Sequence, residues 1–222
     1  MEHFTEALGW YVVFLFSTTL HEAAHAWAAQ KGGDLTAYHG GQVSLDPLPH
    51  IKREPLGMVV LPLLFSLMLR WPFGFASAPY DPVWARNYPR RAALMALAGP
   101  AANFLLVIFA ALIIRVGLSS GGFVPPDFLS LTEITVGAEE GFWASGAQLV
   151  SMIFSLNLIL GIFNLLPIPP YEWCGNEEAT APSLMPRSLR AVKYCPRRMV
   201  DLPLQPLRVC SSPTREFARG LC

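Results

Sequence analysis

The stretch Leu8–Ala29 reads LGWYVVFLFSTTLHEAAHAWAA, an apolar run that nevertheless carries two histidines and a glutamate. A helix needs roughly 20 predominantly apolar residues to cross about 30 Å of hydrocarbon, and this run has that length. Acidic and neutral residues precede it instead of a basic segment, and it has no small-residue cleavage site. These features are typical of a retained membrane helix and not of a cleaved signal peptide.

Two further apolar runs have membrane-spanning length, Ala92–Leu118 and Gly146–Leu166. The composition agrees, because 53% of the residues are hydrophobic and only 14% are charged, which also excludes disorder up to the last quarter of the chain. We therefore predict an all-α polytopic membrane protein with three long transmembrane helices near residues 8–30, 92–118 and 146–167.

A fourth apolar run, Leu56–Leu69, is too short to cross a bilayer by itself and contains Pro62. Basic residues lie on both sides of this run, whereas the segment Ser119–Ser145 contains acidic residues but no Lys or Arg. Lys and Arg concentrate in cytoplasmic loops. The simplest model therefore makes residues 56–75 a re-entrant segment that enters and leaves on the cytoplasmic side, with the amino terminus outside.

The residues between the first helix and the re-entrant segment include Gly40-Gly41 followed by Gln42-Val43-Ser44-Leu45. Alternating apolar and polar residues with glycine before them and Asp-Pro after them are typical of a short strand. We predict a short membrane-associated β hairpin here.

The charge balance and the cysteines exclude other classes. Sixteen basic residues balance sixteen acidic ones, so the chain has no excess of positive charge with which to bind nucleic acid. The cysteines all lie near the carboxyl end, at irregular spacings and without a C-x-x-C pair: Cys174, Cys195, Cys210 and Cys222. This spacing favours unpaired thiols over a zinc knuckle or a disulfide framework.

His21-Glu22-Ala23-Ala24-His25 is the motif in the first helix that can carry chemistry. A spacing of four residues places both imidazoles on one helix face, where they can share a metal ion, and Glu22 lies beside them to accept a proton from water. Three ionisable groups inside a membrane segment indicate a function by default. The structural alternative is a set of polar residues hydrogen-bonded at a helix interface.

A hydrolytic zinc site needs three protein ligands and one open position, so a third ligand must come from elsewhere. Spacing alone does not choose it. The candidates are His3, His39, His50, Asp34, Asp46, Asp81 and Glu172.

Three motifs in order resemble the site-2 protease family of intramembrane zinc metalloproteases. They are His21-Glu-Ala-Ala-His25, Gly99-Pro-Ala-Ala-Asn103 and Asn164-Leu-Leu-Pro-Ile-Pro-Pro170. The intervening residues, Val43–Ile51 and Pro55–Gly57, are similar to the compact members that lack PDZ and CBS domains. The likeness covers residues 8–170.

The resemblance implies a zinc-dependent endopeptidase that hydrolyses peptide bonds within the transmembrane segments of membrane-tethered proteins. It implies Zn²⁺ bound by His21 and His25, with Glu22 as general base and later proton donor. Asn103 would position the substrate or stabilise the oxyanion, although an amide that only packs between helices is the structural alternative. The strand at residues 43–45 could pair with an unwound substrate, and an ordinary hairpin is equally compatible with the sequence.

The sequence departs from the family at the third zinc ligand. The family continues with Leu-Asp-Gly after the two prolines, and its Asp binds zinc, whereas this chain reads Tyr171-Glu172-Trp173. Glu172 occupies the ligand position with a longer arm. From Tyr171 onward the chain is rich in Arg, Pro and Cys, and we expect residues 171–222 to be a poorly ordered tail, distinct from the membrane domain of residues 1–170. Either a frameshift or a divergent tail near anionic headgroups accounts for it.

The function classes compatible with the sequence follow from that departure. The first is the intramembrane endopeptidase, and the second is a non-catalytic relative that binds membrane partners without cutting them. A proton-coupled transporter would need no general base beside two histidines. We expect a membrane-protein substrate, contact with the lipid bilayer, no nucleic acid, and a place in the inner membrane of a prokaryotic cell, with the oligomeric state left open.

Overall fold

A computed structural model describes residues 2–166, which are mostly helical. The predictions for Glu172 and for the tail of residues 171–222 concern positions outside these described residues. In chain order the helices and strands are α1 (Glu2–Gly32), α2 (Thr36–His39), α3 (Pro47–Arg53), a π-helical turn (Leu56–Val60), α4 (Leu61–Leu69), α5 (Pro82–Asn87), α6 (Pro89–Ser120), β1 (Phe123–Val124), β2 (Val136–Gly137) and α7 (Phe142–Leu165).

The long helices α1, α6 and α7 contact one another and form the body of the described chain. Helix α1 packs on α7 through a cluster that includes Trp10, Phe14 and Met152. Helix α6 packs on α1 around Ala29 and Met95. Each of these helices therefore has one face in the shared interior and apolar side chains on the other face.

Two of the helices, α6 and α7, are long and apolar enough to cross a membrane. Helix α1 has the length, with 31 residues, but its sequence is less apolar because it carries acidic, basic and histidine side chains. The chain thus has the features of a membrane protein, and the third of the three predicted spans stays a prediction.

The segment predicted to be re-entrant turns back on itself. Helix α4 ends at Leu69, and Arg70 reverses the chain with a left-handed φ of 55°. Residues 71–80 then return without regular secondary structure, and the N–H of Phe75 donates to the carbonyl of Gly57 at 3.1 Å. The Ser77 hydroxyl donates to the Glu54 carboxylate at 2.9 Å, so the segment ends beside its own start. The backbone thus reverses within residues 56–80, and its re-entrant position in a membrane stays a prediction.

The β hairpin predicted at residues 40–45 is wrong. Those residues form a turn and bends. Local hydrogen bonds explain this, because Ser44 Oγ accepts from the N–H of Asp46 at 3.0 Å and Asp46 caps α3 through the N–H of Leu48 at 2.9 Å. The two-stranded antiparallel sheet lies elsewhere, in the loop between α6 and α7, where Phe123 pairs with Gly137 and Val124 with Val136.

A buried carboxylate ties the carboxyl end of α1 to the start of α5. Asp34 Oδ1 accepts from the N–H and the hydroxyl of Thr36 at 2.9 and 2.6 Å, and its Oδ2 accepts from the N–H of Asp81 at 2.8 Å. Gly33 precedes it with a φ of 97°, which ends α1 because only glycine adopts this conformation without strain. The end of α1 is thereby held against the segment that leads into α6.

Candidate metal centre

Helix α1 brings the two histidines of the HEAAH motif together. Because residues four apart lie on the same helix face, the rings of His21 and His25 pack edge to face with centroids 4.6 Å apart. Their Nε2 atoms are 3.0 Å from each other, and both side chains are buried. Two imidazole nitrogens therefore converge on one point in the protein interior.

The backbone of α6 sets which nitrogen of His25 faces that point. His25 Nδ1 lies 2.7 Å from the carbonyl oxygen of Met95, which can only accept, so Nδ1 carries the proton and donates. In the neutral ring Nε2 then presents a lone pair. A carbonyl that fixes the tautomer of a histidine in this way is the usual outer partner of a metal ligand.

Gly99 on α6 lies directly against both nitrogens. A Cβ at this position would lie 2.5 Å from Nε2 of His21 and still closer to Nε2 of His25, so no residue with a side chain fits here. Pro100, the next residue, interrupts the hydrogen bonding of α6 in the same turn. Both Nε2 atoms therefore face the backbone of α6 where a side chain is missing. We call this arrangement of His21, His25 and Gly99 the cradle.

The cradle fits a zinc ion. Zn–N bonds are about 2.0–2.1 Å long, so one ion can reach two nitrogens that are 3.0 Å apart. Without an ion, the same contact is compatible with an N–H of His21 donated to the lone pair of His25. The donor set consists of two imidazoles, one of which has its outer nitrogen bonded to a carbonyl. Zinc prefers donors of this kind.

Glu22 lies directly beside His21 in sequence, and its side chain is only 5% exposed. Its Oε2 is buried and has no hydrogen-bond partner within residues 2–166. A buried carboxylate oxygen without a partner is costly in a folded protein. Such an oxygen is available to accept a proton from a water molecule beside the histidines.

Asn103 lies one turn after Gly99 on α6 and is fully buried. Residues four apart share a helix face, so Asn103 and Gly99 lie on the same side of α6. Neither its Nδ2 nor its Oδ1 has a hydrogen-bond partner in the described part of the chain. An amide that only packed between helices would normally bond to a neighbour, so this geometry favours a role toward a ligand.

The other candidate ligands in the described residues are occupied elsewhere. His50 Nε2 is 3.1 Å from the carbonyl of Ser44, Asp81 caps α5, and His3 contacts Arg70. Asp34, His39 and Asp81 line a cavity of about 450 Å³ beside the end of α1. Within residues 2–166 no group of three His, Cys, Asp or Glu side chains could hold a metal ion. The structure thus brings His21 and His25 together, and Glu172 stays a prediction.

The sequence indicated Gly99 only as part of a motif and did not predict that it lies against the two histidines. It gave no indication of the contact between His25 and the carbonyl of Met95. Neither contact has a signal in the spacing of residues, because both depend on how α6 packs against α1. The Gly-Pro pair at residues 99–100 inside an apolar helix is the signal that could have indicated Gly99, since glycine in a helix interior usually permits a close approach.

Similarity to known proteins agrees with the geometry. No family model matches the chain, and no solved structure gives a significant match. A protein of Bacillus subtilis named "Putative zinc metalloprotease YwhC" is 32% identical over 166 residues, which are 72% of this chain and 64% of that protein. The chain is therefore similar to members of the site-2 protease family over most of its length. The family resemblance of the three motifs is thereby confirmed.

Two mycobacterial relatives support the same family. A protein of Mycolicibacterium smegmatis named "Putative zinc metalloprotease Rip2" is 28% identical over 187 residues, which are 83% of this chain and 59% of that protein. Its namesake in Mycobacterium tuberculosis is 29% identical over the same number of residues. The site-2 protease family is therefore matched over most of the chain, while the chain spans less than two thirds of the length of these relatives.

Proposed function

We propose that this protein is a zinc-dependent endopeptidase that cuts peptide bonds within the transmembrane segments of other membrane proteins. The observation that carries the proposal is the cradle formed by Nε2 of His21, Nε2 of His25 and the missing side chain of Gly99. The names of the relatives, which call them zinc metalloproteases, support the chemistry. The apolar helices α6 and α7 support a site within a membrane.

His21 and His25 would hold the zinc ion through Nε2, and the carbonyl of Met95 would keep the His25 ring in the correct orientation. When bound, zinc supplies Lewis acidity that makes a water molecule nucleophilic near neutral pH and polarises the carbonyl of a peptide bond. The buried surroundings of the pair exclude bulk water, so polar interactions within the site are stronger than they are in solvent.

Glu22 moves the proton. Its buried Oε2 accepts a proton from the attacking water and then donates that proton to the nitrogen of the departing amine. Both steps need a carboxylate that is held close to the histidines and is not engaged in an ion pair. Glu22 follows His21 directly in the HEAAH motif, and its buried carboxylate would lie beside the histidines.

Asn103 binds the substrate in this mechanism. Its amide presents one donor and one acceptor without partners in the described residues, on the same face of α6 as Gly99. The Nδ2 group would donate to the oxygen of the scissile carbonyl as negative charge develops on it.

The returning segment of residues 71–80 would accept the unwound substrate, in the place of the strand expected at residues 43–45. It starts at Trp71, whose ring lies 4.8 Å from that of Trp10, and ends at Tyr80, which packs on the cluster around Ala29. Its two ends thus lie near clusters that contain α1 residues on either side of His21 and His25. Backbone outside helices and strands can pair with an extended substrate segment through main-chain hydrogen bonds.

Glu172 would complete the zinc site in the position of the family's Asp, and its longer arm is the reason to keep a second function. If position 172 does not bind zinc, the protein is a non-catalytic relative that binds membrane partners through the same helices. We further propose that it is a multi-pass protein of a prokaryotic cell membrane, which the bacterial relatives support.

The deciding experiment measures zinc content and cleavage on the full chain purified in detergent. Wild type, His21→Ala, Glu22→Gln and Glu172→Asp are compared, with a membrane-helix peptide as substrate. We expect zinc in wild type and its loss in His21→Ala, and cleavage by wild type that increases in Glu172→Asp. Equal zinc in wild type and His21→Ala would overturn the metalloprotease proposal, and zinc without cleavage in both wild type and Glu172→Asp would favour the non-catalytic alternative.

A further inference from the structure

A buried hydrogen bond joins α7 to α1 close to the candidate metal centre. Asn157, in the carboxyl-terminal half of α7, is fully buried, and its Nδ2 group donates to Ser17 Oγ on α1 at 2.9 Å. The same Nδ2 also donates to the carbonyl of Ile153 on its own helix at 2.9 Å. Both hydrogens of this amide are thus bonded, and the side chain has one defined orientation.

Ser17 lies one helical turn before His21. Because side chains four residues apart stack on the same face of a helix, the hydroxyl of Ser17 and the imidazole of His21 are neighbours on α1. Ser17 is itself fully buried. The bond from Asn157 therefore contacts α1 on the face that carries the candidate metal ligands.

Apolar packing alone sets the position of α7 only loosely. The contact between the two helices is otherwise formed by a cluster that includes Phe14, Met152 and Leu156. Within a membrane, lipid tails are as apolar as these side chains, so no hydrophobic force favours one face of α7 over another. A slip of one residue would move α7 by about 1.5 Å along its axis and turn it by roughly 100°. A hydrogen bond at 2.9 Å does not survive such a slip.

We propose that Asn157 is a positioning residue, which through Ser17 fixes the height and rotation of α7 relative to the two histidines. The consequence concerns the candidate ligands on α1, because Ser17 lies one turn before His21 on the same face of that helix. Asn157 thereby holds the face of α1 that carries His21 against α7 in one arrangement. This inference rests on the proposed zinc site.

Helix packing by itself does not account for an amide at this position. The Oδ1 atom of Asn157 is buried and has no hydrogen-bond partner in the described residues. A leucine of similar volume would avoid the cost of burying that acceptor. An amide is required if one defined orientation of α7 is needed.

The test uses the full chain in detergent and measures zinc affinity by competition with a chelator. The variants are Asn157→Leu, Ser17→Ala, their combination, and the exchange Ser17→Asn with Asn157→Ser. Ser155→Ala is the matched control, because Ser155 is also buried on α7 and its hydroxyl has no partner in the described part of the chain. We expect Asn157→Leu to bind zinc about tenfold more weakly, as for other residues that orient metal ligands.

The pattern across the variants separates positioning from stability. We expect the double variant to be no worse than Asn157→Leu and the exchange to recover most of the affinity, while Ser155→Ala resembles wild type. Zinc affinity unchanged in Asn157→Leu, with only a lower Tm, would overturn the proposal.

A second measurement needs no zinc. With the native cysteines replaced by serine, Val13→Cys is paired in turn with Met152→Cys, Ile153→Cys and Leu156→Cys, and disulfide formation between α1 and α7 is quantified. When Asn157 is present, we expect one of the three cysteine pairs to form most of the disulfide. In Asn157→Leu, we expect several pairs to form disulfides in similar amounts. An identical pattern in both backgrounds would refute the positioning role. Absence of zinc in the wild type would instead refute the proposed function, and the cross-linking pattern would still decide the role of Asn157.

Discussion

Gly99 on α6 faces His21 on α1 so closely that a Cβ at position 99 would lie 2.5 Å from Nε2 of His21. Real side chains do not approach to this distance. A small methyl group at this position would therefore occupy the space that the two histidines share, although neither histidine would be changed.

Gly99→Ala is expected to abolish zinc binding while the protein still folds, because the added methyl group lies between the two Nε2 atoms and α6. Zinc content of the purified variant is the measurement. Gly146→Ala is the control, since a Cβ at this glycine of α7 meets nothing within 4 Å and alanine favours a helix. Equal zinc in Gly99→Ala and wild type would contradict the cradle.

Glu22→Gln is expected to retain zinc and to lose cleavage by about 10²–10⁴-fold, which is the usual contribution of a general base. Glutamine has nearly the same shape but does not accept a proton, so zinc content separates the loss of proton transfer from the loss of the site. Wild-type cleavage rates in this variant would show that another group takes the proton.

Asn103→Leu is expected to lower kcat by about 10²–10³-fold with little change in zinc content, as when one donor to an oxyanion is removed. Leucine fills the same space without the polar atoms, so helix packing is preserved. Cleavage kinetics on a membrane-helix peptide provide the measurement. A variant that loses Tm but keeps its kcat would indicate that Asn103 is only a packing amide.

Gly74→Ala is expected to displace the returning segment of residues 71–80 from the helices. A Cβ there would lie 2.6 Å from Phe14 Cζ and 2.6 Å from Pro62 Cγ, so the variant is overpacked and is destabilised by about 1–3 kcal/mol. If this segment accepts the substrate, KM also rises while zinc content is unchanged. An unchanged KM in a variant with a lower Tm would remove the segment from the substrate site.

Cysteine labelling from one side of the membrane tests the topology. With the native cysteines replaced by serine, Lys52→Cys and Arg86→Cys are expected to react from the same side, because the segment between them returns to its start. Glu139→Cys, in the acidic loop between α6 and α7, is expected to react from the opposite side. Opposite accessibility of positions 52 and 86 would contradict a re-entrant segment.

The long helices were predictable because their signals are local. The apolar runs at residues 92–118 and 146–167 correspond to α6 and α7, which begin and end within a few residues of them. Pro89 at the first turn of α6 and Gly121 with a φ of 78° after its last turn mark the ends of that helix. These residue types act through their own backbone preferences and need no tertiary contact.

The strand expected at residues 42–45 shows where local pattern fails. Alternation of apolar and polar residues is compatible with a strand, but a strand also needs a partner, and the pattern does not reveal one. Here the hydrogen bonds of Ser44 go to Asp46 and His50 instead. A loop that bonds within itself has the same sequence signal as a half-buried strand.

The sequence alone determined that the two candidate metal ligands lie together, because a spacing of four residues places His21 and His25 on the same face wherever that helix packs. Only the tertiary structure decided what surrounds them. The carbonyl of Met95, the close approach of Gly99 and the bond from Asn157 to Ser17 all come from other helices. Contacts between residues far apart in the chain depend on the rotation and height of each helix, and no spacing within one helix encodes those quantities.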